Sequence, residues 1–255
     1  MTALVFDCDG VLADTERHGH LPAFNATFEQ FGLPARWSED EYGRKLRIGG
    51  GKERMASLFD EPAFAAAVGD ADRDELLRIW HRAKTAAFTR LVAEGRVPAR
   101  PGVARIIHAA LAADWTVAVA STSAPDSVRA VLVHAVGQPA AARIPVFAGD
   151  IVPAKKPDPA IYRLTADRLG LDPAETLVIE DSRNGLLAAD AAGFRCLVTV
   201  NGYTRDEDFT PAVLVVSELG DPGRPPVEVL ANRSRARPGG YLTLDDLRAC
   251  LEGAE

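Results

Sequence analysis

The pattern of apolar and polar positions divides the chain into stretches of different period. Ala3-Leu4-Val5-Phe6 is an unbroken apolar run, the signature of a strand covered on both faces. From about residue 16 to 94 the spacing is helical throughout. Leu21, Phe24, Phe28 and Phe31 recur at turn intervals before a stop at Gly32, and Leu76, Leu77, Trp80, Ala83, Ala87, Phe88 and Leu91 form a long apolar stripe. After Arg96, helix and strand patterns alternate. Val103, Ile106, Ile107 and Ala110 predict a helix, and 116–120 a buried strand. Further strands are predicted at 146–148, 176–179, 196–200 and 213–216, with helical patterns between most of them, notably 158–169 and 184–192. Strands alternating with helices predict an α/β fold built on a doubly wound parallel sheet. The helical block then reads as an insertion after the first strand, giving a core domain of 1–15 with 95–255 and a helical domain of 16–94. Residues 222–226 and 237–240 read as loops, and Thr243-Leu244-Asp245-Asp246 as a cap opening a last helix to Leu251.

Composition narrows the class. The 255 residues suffice for a large core, and 47% hydrophobic with 25% charged residues is ordinary for a globular protein. A net charge of -7 argues against a nucleic-acid partner, while leaving room for a small anion at a local basic cluster. Cys8, Cys196 and Cys250 show no metal-ligand spacing and leave one thiol unpaired, which suggests a reducing compartment. No apolar run is long enough to span a bilayer, and the first strand begins without a basic, then apolar leader. A cytoplasmic monomer with no membrane partner is the expectation.

The chemistry gathers at strand ends. Asp7-Cys8-Asp9-Gly10 follows the first strand, where open α/β sheets place their ligands. Two carboxylates so close need a cation, a shared proton or solvent, and a hard divalent ion suits oxygen donors. The alternative is a surface Asx-turn. Ser121-Thr122-Ser123 offers hydroxyls and backbone N–H groups suited to phosphate oxygens, or else a plain helix cap. Lys156, held extended by Pro157, is either aimed at an anion or solvated. Glu180-Asp181-Ser182 is a second acidic pair, or again a cap. Each stretch alone is ambiguous; together they place carboxylates, hydroxyls and a cation on one family of strand ends.

In that order, Asp7-x-Asp9-Gly10, Ser121, Lys156-Pro157 and Glu180-Asp181-Ser182 resemble the four motifs of the haloacid dehalogenase superfamily, over nearly the whole chain. The resemblance implies a Rossmann-like core with an all-helical C1-type cap, and phosphoryl transfer through an aspartyl-phosphate. It implies Asp7 as nucleophile and Asp9 as general acid, then base. Ser121, Thr122, Ser123 and Lys156 would hold the transferring group, and Mg2+ would be held by Asp7, the backbone carbonyl of Asp9, and Asp181, with Glu180 in the acidic shell.

The helical stretch narrows the resemblance. Gly49-Gly50-Gly51-Lys52-Glu53-Arg54-Met55 is not a P-loop, because Leu46 stands where its first glycine belongs, Glu53 follows the lysine and no strand precedes it. A glycine turn bringing Lys52 and Arg54 near an anion fits better, with a solvated loop as the alternative. Together with Asp14-Thr15-Glu16, His20, Phe24-Asn25 and His81-Arg82-x-Lys84-Thr85, this run is similar to the CbbY branch of the superfamily. Gly149-Asp150-Ile151-Val152-Pro153 and Asn201-Gly202-Tyr203-Thr204 extend the likeness. Enzymes of that branch remove the 1-phosphate of xylulose-1,5-bisphosphate, an inhibitor of Rubisco. The likeness implies a phosphorylated sugar as partner, with Glu16 and His20 on its hydroxyls and Gly51, Lys52, Arg54 and Lys84 at its distal phosphate. Ala124-Pro125 departs from relatives that often carry Asn there. A phosphosugar mutase of the β-phosphoglucomutase type shares all four motifs. A receiver-like phospho-acceptor module shares the acidic pocket and lysine, but needs no basic helical insertion.

Overall fold

A computed structural model describes residues 1–69 and 71–252. The chain forms two compact units, one of Met1–Asp14 with the chain from Ala99 onward, the other of Thr15–Pro98. Strand β1 (Ala3–Phe6) opens the first unit and is buried along its whole length, as its apolar run requires.

The second unit is helical. It contains a π-helical turn (Glu16–His20), α1 (Leu21–Gln30), α2 (Glu39–Lys45), α3 (Gly51–Ala56), a 3-10 turn (Ser57–Asp60), α4 (Pro62–Val68) and α5 (Arg73–Ala93). Ser38 and Glu41 close a reciprocal capping box on α2, and Asp72 caps α5 through the backbone N–H groups of Asp74 and Glu75. The core of this unit is aromatic: Phe24 and Phe28 pack on Trp37, and Phe24 also meets Tyr42. The return crossing falls at Pro98–Ala99, a few residues later than the helical pattern suggested. Val97 is fully buried and lies against the backbone of Gly19, so it belongs to the helical unit although it follows α5.

The first unit resumes with α6 (Val103–Ala112), β2 (Thr116–Ser121), α7 (Pro125–Val136), α8 (Gln138–Ala141), β3 (Val146–Ala148), α9 (Ala160–Leu169), β4 (Thr176–Glu180), α10 (Arg183–Ala191), β5 (Arg195–Thr199), β6 (Leu214–Val216), β7 (Val229–Asn232) and α11 (Leu244–Ala249). The strands make one sheet of order β3-β2-β1-β4-β5-β6-β7, parallel except for β7. This is the α/β architecture that the alternating pattern predicts. The antiparallel β7 has no counterpart in that pattern: its short Val229-Leu230-Ala231 run is exposed or half-buried and does not alternate. Beneath the sheet, Val5, Val178, Val198, Leu186 and Tyr162 share one fully buried cluster, and each such aliphatic or aromatic side chain contributes roughly 1.5–3 kcal/mol by leaving water.

Sheet order decides where the chemistry meets. β1 lies between β2 and β4, with Phe6 level with Val119 on one side and Ile179 on the other. The residues that follow, Asp7, Ser121 and Glu180, therefore emerge at neighbouring positions of one sheet edge. The strand order also reverses direction about β1, the topological switch point at which open α/β sheets bind ligands.

Candidate active site

Asp7 continues β1 by one more ladder bond, its N–H donating to the Ile179 carbonyl at 2.9 Å. Its carboxylate is buried and accepts from Lys156 Nζ at 2.6 Å. Lys156 also donates to Glu180 Oε1 at 2.6 Å and to the Ala120 carbonyl at 3.0 Å. Its ammonium thus spans the ends of β1, β2 and β4, and the solvated alternative for this lysine does not hold. Neighbouring Lys155 instead pairs with the exposed Asp150 at 3.3 Å. The Lys156–Pro157 peptide is cis.

Burial drives the Asp7 carboxyl up to about 7; Lys156 opposes that rise, while Glu180 and Asp9 add to it. Burial alone would pull Lys156 down, but the Asp7 and Glu180 carboxylates outweigh it and hold the ammonium above its ordinary value. Lys156 therefore stays a cation, and it favours the ionised form of Asp7 against burial and the neighbouring acids.

The acidic pair at the end of β4 divides its work. Glu180 Oε1 accepts from Lys156 and from the hydroxyl of Tyr162, and Oε2 accepts from the Asp181 N–H at 3.2 Å. Asp181 Oδ2 accepts from Asn201 Nδ2 at 2.7 Å. The cap of α10 is Ser182, which receives the Gly185 N–H, so neither acid is spent as a helix cap. Two glycines make the packing feasible. A Cβ on Gly10 would lie 2.1 Å from Asp181 Oδ2, and its φ of +75° is one that side chains disfavour. A Cβ on Gly185 would lie 1.9 Å from the Glu180 carboxyl carbon.

Asp7, Glu180 and Asp181 each offer a carboxylate oxygen, all within 4.8 Å of one another and all buried. Such a set of hard oxygen donors around a single ammonium fits a divalent cation. Asp7 and Asp181 are the better placed, because both Glu180 oxygens already hold protein donors. The Asp9 side chain is not part of this carboxylate group; the sequence resemblance assigned its backbone carbonyl, not its side chain, to the metal. That half-buried side chain accepts a hydrogen bond from the Ser123 hydroxyl.

Ser121 is buried, with only 1% of its surface exposed, and ends β2. It caps no helix, since α7 starts at Pro125 behind Ala124 without a side-chain cap. Ser121 Oγ accepts the Ser123 N–H at 3.2 Å, so that N–H is engaged within the loop instead of open at a helix entrance. Thr122 is half-buried between them.

Within the helical unit, the expected residues fall into two buried groups. Arg54 donates to the Tyr42 hydroxyl at 2.8 Å and to the Ile48 carbonyl at 3.3 Å, and lies 3.8 Å from Glu16, which also accepts from Tyr42. Lys84 Nζ lies 2.7 Å from His20 Nδ1 and faces the Phe24 and Phe88 rings at 4.8 and 5.4 Å. With Lys84 charged, His20 must accept through Nδ1, which fixes its tautomer. A Cβ on Gly51 would stand 3.5 Å from His81 Nε2 and 3.7 Å from Lys84 Nζ, so the start of α3 lies beside this second group. Lys52 does not join them; it points to solvent from the exposed side of α3.

Tyr162, Asn201, Gly185, Tyr42 and His81 were not singled out as site residues by the sequence. Asn201 and His81 stand in runs that carried the family likeness. Tyr162 and Tyr42 are fully buried, and the partner of each hydroxyl ties it to the site residues.

The haloacid dehalogenase-like hydrolase family model matches residues 1–193. A CBBY-like protein of Arabidopsis thaliana is 48% identical over 223 residues, 87% of this chain and 70% of that protein. The crystal structure of CbbY from Rhodobacter sphaeroides in complex with phosphate superposes with a TM-score of 0.79 at 39% identity, covering 88% of this chain and 96% of that one. A mutant of the same protein in complex with xylulose-1,5-bisphosphate matches with a TM-score of 0.77 at 39% identity and the same coverage. The chain belongs to the haloacid dehalogenase-like hydrolases and, within them, to the CbbY-like branch, which makes it an enzyme of the phosphatase class. Among the described residues, no helix is long and apolar enough to cross a membrane.

Proposed function

We propose that the protein is a Mg2+-dependent sugar-bisphosphate phosphatase that removes the 1-phosphate of xylulose-1,5-bisphosphate through an aspartyl-phosphate on Asp7. The observation that carries this reading is the meeting of Asp7, Lys156 and Asp181 at the ends of adjacent strands, beside Ser121. The substrate is supported by the 39%-identical CbbY whose structure holds that bisphosphate.

Asp7 and Asp181 would hold the cation, with the Asp9 carbonyl as the further ligand that the family resemblance supplies. Bound there, Mg2+ neutralises phosphoryl oxygens and lowers the repulsion between two anions. Lys156 adds a fixed positive charge hydrogen-bonded to Asp7, and the Ser121 hydroxyl, with the backbone of Thr122, completes the cradle. An Asp7 oxygen then forms a bond to phosphorus while the bond from phosphorus to the sugar oxygen breaks. Asp9 delivers a proton to that departing oxygen, and the Ser123 hydroxyl holds its carboxyl in place. In the second half, Asp9 takes a proton from water, the water oxygen bonds to phosphorus, and phosphate leaves Asp7. Positioning and charge stabilisation supply most of the rate in such transfers.

Glu16 and His20 are assigned to sugar hydroxyls, and Gly51, Arg54 and Lys84 to the distal phosphate. Lys52, exposed, is assigned only an electrostatic contribution. A phosphorylated sugar is the partner in this reading, and a reducing cytoplasm suits three buried thiols. Phosphate release from a panel of phosphosugars, with and without Mg2+, tests it. Preference for the five-carbon bisphosphate supports the reading; isomerised sugar phosphate as the main product overturns it in favour of a mutase.

A further inference from the structure

We infer that Tyr162 is a positioning residue for this reaction, holding the Lys156 ammonium in register with Asp7 through its hydroxyl and its ring; the inference rests on the phosphatase reading above. Tyr162 lies in the first turn of α9, whose start is tied to the Lys156 loop by the hydrogen bond from the Tyr162 N–H to the Pro159 carbonyl at 3.0 Å. The side chain is fully buried. Its hydroxyl donates to Glu180 Oε1, the same oxygen that accepts from Lys156. Its ring centroid stands 4.7 Å from Lys156 Nζ.

An ammonium has three N–H donors, and those of Lys156 are met by Asp7, Glu180 and the Ala120 carbonyl. When a phosphoryl oxygen arrives beside Asp7, one donor must serve it while the other two keep the nitrogen from following. That second task depends on Glu180 staying still. The Asp181 N–H holds Oε2, and α10 closes on the carboxyl at Gly185, where a Cβ would come within 1.9 Å. Among the described residues, only the Tyr162 hydroxyl shares Oε1 with Lys156. Without it, Glu180 Oε1 concentrates its charge on Lys156 alone and favours that pair over the one with Asp7, at a place where small displacements are costly in rate.

Steady-state kinetics of Tyr162→Phe with a phosphosugar, and its inhibition by orthovanadate as a five-coordinate mimic, test this. The ring is kept and the shape conserved. We expect kcat to fall about tenfold, as for one lost hydrogen bond to a charged group, with KM unchanged within about twofold. Vanadate inhibition should weaken by the factor lost in kcat/KM. Tyr162→Leu, which also removes the ring face, should lose more. Wild-type kcat and vanadate affinity in a folded Tyr162→Phe protein overturn the inference alone. So does a loss of kcat that only tracks a smaller folded fraction in a melt, with vanadate affinity intact, because that describes a structural brace. A wild-type protein that releases no phosphate from any phosphosugar overturns the phosphatase reading and this inference with it.

Discussion

Lys156 and Glu180 form a buried ion pair, Nζ to Oε1 at 2.6 Å, with the glutamate side chain 1% exposed. The companion acid Asp181 accepts from a neutral amide. The two acids at one strand end should therefore respond differently to removal. Glu180→Ala removes one of the two carboxylates paired with the buried Lys156 and leaves the Tyr162 hydroxyl and the Asp181 N–H without their acceptor, so it should destabilise the metal-free protein by about 3–5 kcal/mol in denaturant melts. Asp181→Ala should cost less stability, but should raise the Mg2+ concentration needed for activity or abolish activity altogether. Equal losses of stability, with unchanged metal dependence, would show that both acids serve only the fold.

Asp7→Asn should abolish phosphate release and the trapping of an acyl-phosphate. It also removes one of several carboxylates crowded around a single ammonium, so the variant should melt no lower than wild type without metal. Near-normal turnover in this variant would rule out covalent catalysis by Asp7.

The hydrogen bond from Ser123 to Asp9 points to a leaving-group effect. Asp9→Asn should cost about 100- to 10,000-fold with sugar phosphates and much less with p-nitrophenyl phosphate, whose phenolate leaves without help. Ser123→Ala should show the same ordering with smaller losses. Equal losses on the two substrates would mean that Asp9 is not the acid.

Much of this was legible because the pattern and the chemistry agree. An apolar run ending in Asp7, another ending in Ser121 and a third ending in Glu180 need only a parallel sheet to meet, and alternation after Arg96 predicts one. Sequence did not show which strands are neighbours, so the three hydrogen bonds of Lys156 to three strand ends were out of reach. Tyr162 was missed because a buried aromatic in a helix reads as core, and its hydroxyl partner Glu180 is distant in sequence. Adjacency to Gly51 suggested an anion contact for both Lys52 and Arg54, and sequence did not show that helical phase exposes Lys52 on α3 while Arg54, two residues on, turns inward. The strand β7 carried no periodic signal and is held by pairing with β6.

That difference in phase is itself testable. Lys84→Met should raise KM for a sugar bisphosphate by about tenfold or more, since charge-assisted contacts to a desolvated phosphate are strong. The same variant should leave p-nitrophenyl phosphate turnover little changed. Lys52→Ala should have a smaller effect that fades with added salt. Equal losses on both substrates for Lys84→Met would reassign that lysine to the stability of the helical unit.

Cys8, Cys196 and Cys250 are buried and unpaired with one another. Burial raises the Cys196 thiol well above its ordinary value and pushes Cys250 up to about 11. Since the thiolate is the reactive form, a thiol reagent at pH 8 should label the native protein slowly, faster as pH rises, and all three sites rapidly in denaturant. Rapid native labelling at pH 7 would contradict this account of the thiols.

The most direct measurement of the central claim is the product ratio from xylulose-1,5-bisphosphate with Mg2+, for wild type and Asp7→Asn side by side. The account predicts one phosphate released for each xylulose 5-phosphate formed by wild type, and none from Asp7→Asn. No phosphate from wild type, or equal release from the two proteins, would contradict it.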